Sequence, residues 1–329
     1  MSNYHPWRLS VAPMLDWTDR HCRFFHRLLS QHARLYTEMI HVGAILHGGA
    51  ERFLRYDEAE HPLALQLGGS EPRDLAACAK LAEQWGYDEV NINCGCPSER
   101  VQRGSFGACL MAEPALVADG VKAMLDACNI AVTVKHRIGL DKNEDYAPVR
   151  DFVGTLADAG CQTFIVHARN AWLKGLSPKE NRDVPPLRYK VVHQLKKDFP
   201  TLSFATNGGL QTNAQIAEQL EHVDGVMVGR QAYHHPWDLT TWDETFFGAA
   251  PYTRSRDEVE LDMVAYMERE AARGVPVLSM ARHMLGLRNG ISGARAWRQV
   301  WSDHKRKALP PREIHQQAME AAALYRVGD

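Results

Sequence analysis

The chain has 329 residues, of which 45% are hydrophobic and 24% charged, and carries a net charge of −2. Such a composition is ordinary for a soluble globular protein, and the length suits one barrel of roughly 250 residues plus a smaller domain. No apolar run approaches the roughly 20 residues of a membrane span, no basic-then-apolar leader opens the chain, and the seven cysteines have neither disulfide-framework nor zinc-like spacing.

In chain order, Leu9–Ala12 is the first of eight short runs of Val, Ile, Leu, Ala or aromatic residues. Thr18–Leu29 follows as a helix with a cap-capable Thr and an early Asp. The second run is Leu35–Thr37, and the stretch between Glu38 and His61 gives no clear signal. Leu63–Leu67 precedes a helix over Ser70–Gln84, and Glu89–Ile92 precedes one over Pro114–Ala127. Ala131–Val134 with Ala147–Ala159, Thr163–Val166 with Leu187–Lys197, and Leu202–Ala205 with Thr212–Glu221 repeat the unit. Gly225–Val228 is the eighth run. Most runs lack strict alternation, as strands buried on both faces do. Eight strands alternating with helices predict an α/β fold, a (β/α)₈ TIM barrel, over an open doubly wound sheet, and no G-x-G-x-x-G opens any helix.

After Trp237 the pattern changes. Helices are expected over Asp257–Ala272, Val277–Leu287, Ala294–His304 and Pro311–Arg326. This divides the chain into a barrel domain, 1–246, and an all-helical domain, 247–329. Between Ala271 and Arg312 stand nine Lys or Arg and one acid, so that segment is +8 and the remainder −10. A basic C-terminal piece on an acidic body suggests a local site for a polyanion.

Active sites of such barrels sit at the C-terminal strand ends. Here those ends read Pro13-Met14, Glu38-Met39, Gln66, Asn93-Cys94-Gly95-Cys96-Pro97, Lys135-His136-Arg137, His167-Ala168-Arg169, Asn207-Gly208-Gly209 and Gly229-Arg230. Glycines after the last two strands expose backbone N–H groups where barrels bind phosphate, and Arg230 adds a charged fork. That implies a phosphorylated cofactor; two tight turns are the plainer alternative. Lys135 suits an anionic reduced ring, and His167 a carbonyl of cofactor or substrate. Gln66 has both a donor and an acceptor for a ring edge. Cys96 lies in a Gly-Cys-Pro turn that exposes it, and an ordinary thiol is protonated at neutral pH. It can therefore act as a general acid on a carbanion, with Cys94 as its rival. His234-His235 has nothing nearby to complete a metal site, so no metal is expected.

Asn91-Ile-Asn-Cys-Gly-Cys-Pro-Ser-Glu-Arg-Val101 followed by Gly104-Ser-Phe-Gly-Ala-Cys-Leu-Met111 resembles the signature of the tRNA-dihydrouridine synthases. Ala12-Pro-Met14, Lys135-His-Arg137, His167-Ala-Arg169, Asn207-Gly-Gly209 and Val228-Gly-Arg230 fit that family in order. Gly175-Leu-Ser-Pro-Lys-Glu-Asn-Arg182 with Pro185-Pro186 is similar to its A-type branch, which acts on D-loop uridines 20 and 20a. The resemblance implies a barrel holding FMN, NADPH as electron donor, and a helical domain that helps hold tRNA. It implies FMN contacts at Ala12, Pro13, Met14, Gln66, Lys135, His167, Asn207, Gly208, Gly209, Gly229 and Arg230. It makes Cys96 the proton donor to uridine C5, places Asn93 near the base, and gives Lys179, Arg182, Arg295 and Arg298 to the tRNA. The seven cysteines, with no secretory signal, read as cytosolic thiols, so a cytoplasmic protein is expected; oligomeric state is not readable, and a monomer is the default. A flavin barrel acting on a small pyrimidine or enone, and a tRNA-binding protein without catalysis, are the competing readings.

Overall fold

The computed structural model describes residues 4–325. Eight strands build one parallel sheet: β1 (Leu9–Val11), β2 (Leu35–His41), β3 (Leu63–Gly68), β4 (Glu89–Cys94), β5 (Ala131–Arg137), β6 (Thr163–His167), β7 (Ser203–Asn207) and β8 (Gly225–Val228). Their order runs β1-β8-β7-β6-β5-β4-β3-β2, each neighbour parallel. The ring closes just ahead of β2, where Val11 N–H donates to the Arg34 carbonyl at 2.9 Å and Arg34 N–H to Leu9 at 3.0 Å. The expected TIM barrel is therefore the fold.

Between the strands lie α1 (Arg20–Leu29), α2 (Val42–Gly48), α3 (Ala50–Leu54), α4 (Pro72–Gln84), α5 (Glu99–Arg103), α6 (Pro114–Ala127), α7 (Ala147–Asp158), α8 (Tyr189–Asp198) and α9 (Asn213–Leu220). Proline occupies the first turn of α4, α6 and α7, where its missing N–H costs nothing. Thr212 and Gln215 form a reciprocal cap at α9. The unreadable stretch after Glu38 is the end of β2 followed by the two short helices α2 and α3. Several strands run further than their apolar runs, because Glu38–His41, Asn93-Cys94 and Lys135–Arg137 remain in the sheet despite their polarity.

The C-terminal elements are α10 (Arg230–His234), α11 (Trp242–Phe247), α12 (Arg256–Ala271), α13 (Val277–Ala281), α14 (Ala294–Trp301) and α15 (Pro311–Ala323). The expected helix over Val277–Leu287 is shorter: α13 gives way to a 3₁₀ turn at Arg282–Met284. The last residue of the expected fourth helix, Arg326, lies outside the described residues.

The chain forms two compact units: residues 1–20 with 32–229, and residues 21–31 with 230–329. The division at Gly229/Arg230 precedes the sequence boundary at 246/247, and most of α1 groups with the C-terminal helices. In that helical unit Phe24 of α1 stacks on Tyr266 of α12 at 4.1 Å, and His21 Nδ1 lies 2.7 Å from the Tyr266 hydroxyl. Its centre is a buried carboxylate, Glu260, that accepts from the indoles of Trp297 and Trp301 at 2.8 and 3.0 Å and from Arg288 Nε at 2.8 Å.

Inside the barrel, successive inward positions are two residues apart. One side of the interior is apolar: Ala12, Tyr36, Ala64, Ile165, Ala205 and Met227 pack together, with Met14 against them. Beside it, on β3, β4 and β5, the interior is polar and contains Gln66, Glu89, Asn91, Asn93 and Thr133, all buried.

Candidate active site at the strand ends

Cys96 is the second residue of the loop after β4 and is half-buried, with Ser98 Oγ 3.6 Å from its sulfur. Asn93 shapes that turn, since its Oδ1 accepts from the Gly95 and Cys96 amides at 3.0 and 2.9 Å. The returning chain closes over the turn through Ala108 N–H, which donates to the Cys96 carbonyl at 2.9 Å. Gly107 allows this approach at φ +77, where a Cβ would lie 2.6 Å from that carbonyl oxygen. Arg137 ties the turn to its neighbours, with Nε donating to the Gly95 carbonyl at 3.1 Å and Nη1 to the Asn181 carbonyl at 2.9 Å. Cys94, by contrast, is fully buried, and desolvation pushes its thiol pKa far up. Geometry therefore leaves Cys96 as the accessible thiol of the pair.

Beside Asn93 in register is Lys135, half-buried and with no carboxylate at ion-pair distance among the described residues. Burial lowers its pKa to about 7, with Arg137 adding to the effect. His167 ends β6 in register with Arg137, and its side chain has no hydrogen-bond partner among the described residues. Burial, then the charges of Arg137, Lys135, Arg169 and Arg182, hold the imidazole neutral. Gly208 follows β7 at φ +117, and a Cβ there would meet the His167 ring at 2.7 Å. Gly209 has φ +72. Asn207 is anchored by its Nδ2, which donates to the Met227 carbonyl at 2.8 Å. A Cβ at Gly229 would lie 3.7 Å from the Ala12 Cβ and 3.8 Å from the Met14 sulfur, so the ends of β1 and β8 flank one space. Pro13 and Met14 are half-buried, and Arg230 opens α10.

Two expectations look different in three dimensions. Gln66 is 1% exposed, its Nε2 donating to Asn91 at 2.8 Å and its Oε1 accepting from Asn93 at 2.9 Å. Asn93 spends both ends of its amide on Gln66 and the Cys96 turn. Each acts first on the protein. Lys179 is exposed and one turn from half-buried Arg182 around the 3₁₀ segment Glu180–Arg182, so the two share a face. Within the helical unit, Arg295 is exposed on α14 and Arg298 donates to Asn289 at 2.6 Å. The +8 segment is partly neutralised: Arg273 pairs with Glu270, Arg288 with Glu260 and Asp257, Arg306 with Asp303, and Arg312 with Glu268.

The sequence reading assigned no role to Arg137, Asn91, Thr133 or Glu89. The signal was present in β4 itself, Glu-Val-Asn-Ile-Asn-Cys, where polar and apolar residues alternate in a strand buried on both faces.

Two solved reductases share the barrel architecture. Morphinone reductase superposes with a TM-score of 0.52 at 14% identity, covering 77% of this chain and 88% of that one. A 2-naphthoyl-CoA reductase does so with a TM-score of 0.56 at 10% identity, covering 72% and 50%. At the sequence level the match is specific: the chain belongs to the dihydrouridine synthase (Dus) family, whose profile matches residues 10–323. A tRNA-dihydrouridine(20/20a) synthase of Pseudomonas aeruginosa is 58% identical over 316 residues, covering 96% of this chain and 95% of the relative. The enzyme of that name from Vibrio cholerae is 51% identical over 98% of this chain and 99% of the relative. The protein is thus an oxidoreductase, and a flavin-dependent one.

The residues present fit a phosphorylated flavin. Among the described residues, Lys135 without a carboxylate partner and a neutral His167 with both ring nitrogens unengaged face the same end of the barrel as the side-chain-free backbone of Gly208, Gly209 and Gly229. Met14 and Ala12 supply an apolar floor.

Proposed function

We propose that the protein reduces the C5=C6 bond of D-loop uridines 20 and 20a in tRNA to dihydrouridine, with FMN as cofactor and NADPH as electron donor. The observation that carries this reading is Cys96: a half-exposed thiol on a rigid turn, close to Lys135 and Arg137. When bound, the flavin supplies hydride to C6. The protein's own residues do the rest. Gly208, Gly209, Gly229 and Arg230 hold the phosphate through backbone N–H groups and a guanidinium. Lys135, His167, Asn207 and Gln66 would offer polar groups to the flavin ring, and Ala12, Pro13 and Met14 would offer apolar surface. Cys96 delivers the proton from its Sγ to C5 as negative charge develops there.

A uridine inside a folded tRNA must leave its stack to reach this depth. Residues 247–329 act as the tRNA-binding domain, with Arg295 and Arg298, and Lys179 and Arg182, contacting phosphate. NADPH docks only for the reductive half-reaction, which agrees with the absence of a G-x-G-x-x-G fingerprint. No described helix is long and apolar enough to cross a membrane, and tRNA as substrate places the work in the cytoplasm.

The test is purified protein with FMN, NADPH and unmodified tRNA, dihydrouridine being mapped by position. Cys96→Ala is expected to bind flavin and oxidise NADPH normally while uridine reduction falls at least about a hundredfold. A wild-type rate in that variant would remove Cys96 from the reaction. Product at positions other than 20 and 20a would overturn the assigned substrate.

A further inference from the structure

Glu89 opens β4 at the end of the barrel opposite the strand-end site, and it is completely buried. Its Oε1 accepts from Tyr36 at 2.7 Å and from Thr133 Oγ1 at 2.5 Å. Its Oε2 accepts from the Trp7 indole at 2.7 Å and lies 3.3 Å from Arg34 Nη1. From Thr133 a single file of hydrogen bonds climbs the polar side of the interior. Asn91 Nδ2 donates to Thr133 Oγ1 at 2.7 Å, Gln66 Nε2 to Asn91 Oδ1 at 2.8 Å, and Asn93 Nδ2 to Gln66 Oε1 at 2.9 Å. The file ends where the Gly95 and Cys96 amides donate to Asn93 Oδ1.

Every link points the same way. A side-chain amide can turn end for end at almost no steric cost, so hydrogen bonding alone decides its orientation. Here both ends of the file are fixed. A carboxylate can only accept, and a backbone N–H can only donate. With an acceptor at one end and donors at the other, Thr133, Asn91, Gln66 and Asn93 each have one orientation that satisfies all of them. A break leaves a buried polar group unpaired, or a reversed amide that presents N–H to N–H at the Cys96 turn.

We propose that Glu89 is a positioning residue for Cys96, acting through Thr133, Asn91, Gln66 and Asn93 to fix the turn that aims the thiol. The proposal rests on Cys96 as the proton donor. It also accounts for the buried side chains of Gln66 and Asn93, which serve the turn as well as any ligand above them.

Thr133→Val cuts the file while keeping volume, Thr133→Ser restores it, and Tyr36→Phe removes a different hydrogen bond from the same carboxylate without cutting it. Two readouts apply to the FMN-loaded protein: single-turnover reduction of tRNA, and the pH dependence of iodoacetamide alkylation at Cys96, followed by peptide mass spectrometry. Thr133→Val is expected to slow uridine reduction about tenfold and to shift the Cys96 alkylation profile, with NADPH oxidation unchanged. Thr133→Ser and Tyr36→Phe should both behave as wild type. If Thr133→Val fails to fold, Glu89→Gln, which offers an amide hydrogen where the file needs an acceptor, is read the same way. A wild-type alkylation profile in Thr133→Val overturns the proposal, and so does an equal loss in Tyr36→Phe, which would mark a general loss of stability. Cys96→Ala is run alongside. If it still reduces uridine, the reading of Cys96 fails, whereas the alkylation result stands independently.

Discussion

Asn93 and Cys94 are consecutive and face opposite ways: Asn93 turns into the barrel toward Gln66, and Cys94 is buried with its thiol pushed up by desolvation. Strand alternation separates them, and it was available in the sequence once β4 was known to run to Cys94. Cys96 itself was legible from its Gly-Cys-Pro turn. Its supports were not, because Asn91 and Thr133 read as ordinary strand polar residues until their partners on other strands are in place. Lys135 carries a prediction of its own. Its pKa of about 7 means that it is charged below that pH and neutral above it. The polar atoms of a flavin ring beside Lys135 favour its charged form. Affinity for FMN, followed by quenching of flavin fluorescence, should therefore weaken as pH rises through about 7, by at most about tenfold per unit. In Lys135→Met the affinity should be lower and the pH dependence flat across that range.

The strands were readable as elements because strands buried on both faces are continuous and apolar, and the helices because proline and Thr caps mark their starts. Strand ends were not, since polar residues there serve the site and disguise the strand as a loop. The basic C-terminal segment shows the reverse error. Its count of nine cations overstated its reach, because Glu260, Glu268, Glu270 and Asp257 of α12 and Asp303 engage four of them. That leaves α14 as the element to probe. Arg295→Glu with Arg298→Glu should weaken tRNA binding and flatten the dependence of log Kd on log salt by about one unit per lost phosphate contact. Flavin reduction by NADPH should stay at the wild-type rate. A fall in flavin reduction would give these residues another role.

Across the whole molecule, acid is the condition to which burial makes the protein vulnerable. His26 in the helical unit and His136 in the barrel are both buried, and desolvation is the leading cause that lowers them to about 3 and about 4. Their folded pKa values lie below the unfolded value, so the unfolded chain binds more protons between them. Stability from these groups is full above about 6.5 and is lost as pH falls. At pH 5 each should cost about 2 kcal/mol. Chemical denaturation at pH 7 and pH 5 should show both units weakened, and His136→Gln should reduce the loss in the barrel signal. An unchanged midpoint would mean that neither ring is held neutral.

The membership of α1 in the helical unit bears on how the protein is made. Residues 21–31 leave the ribosome before seven of the eight strands, yet Ser30 and Gln31 are held by Asp243, His21 and Phe24 by Tyr266, and the Leu28 carbonyl by Tyr252. An amphipathic helix thus waits, its apolar face uncovered, through the synthesis of the entire barrel. A chain cut after β8 would contain every strand and still lack the cover for that face. The helical unit draws on two stretches of the chain on either side of most of the barrel, so neither unit can be excised by a single cut.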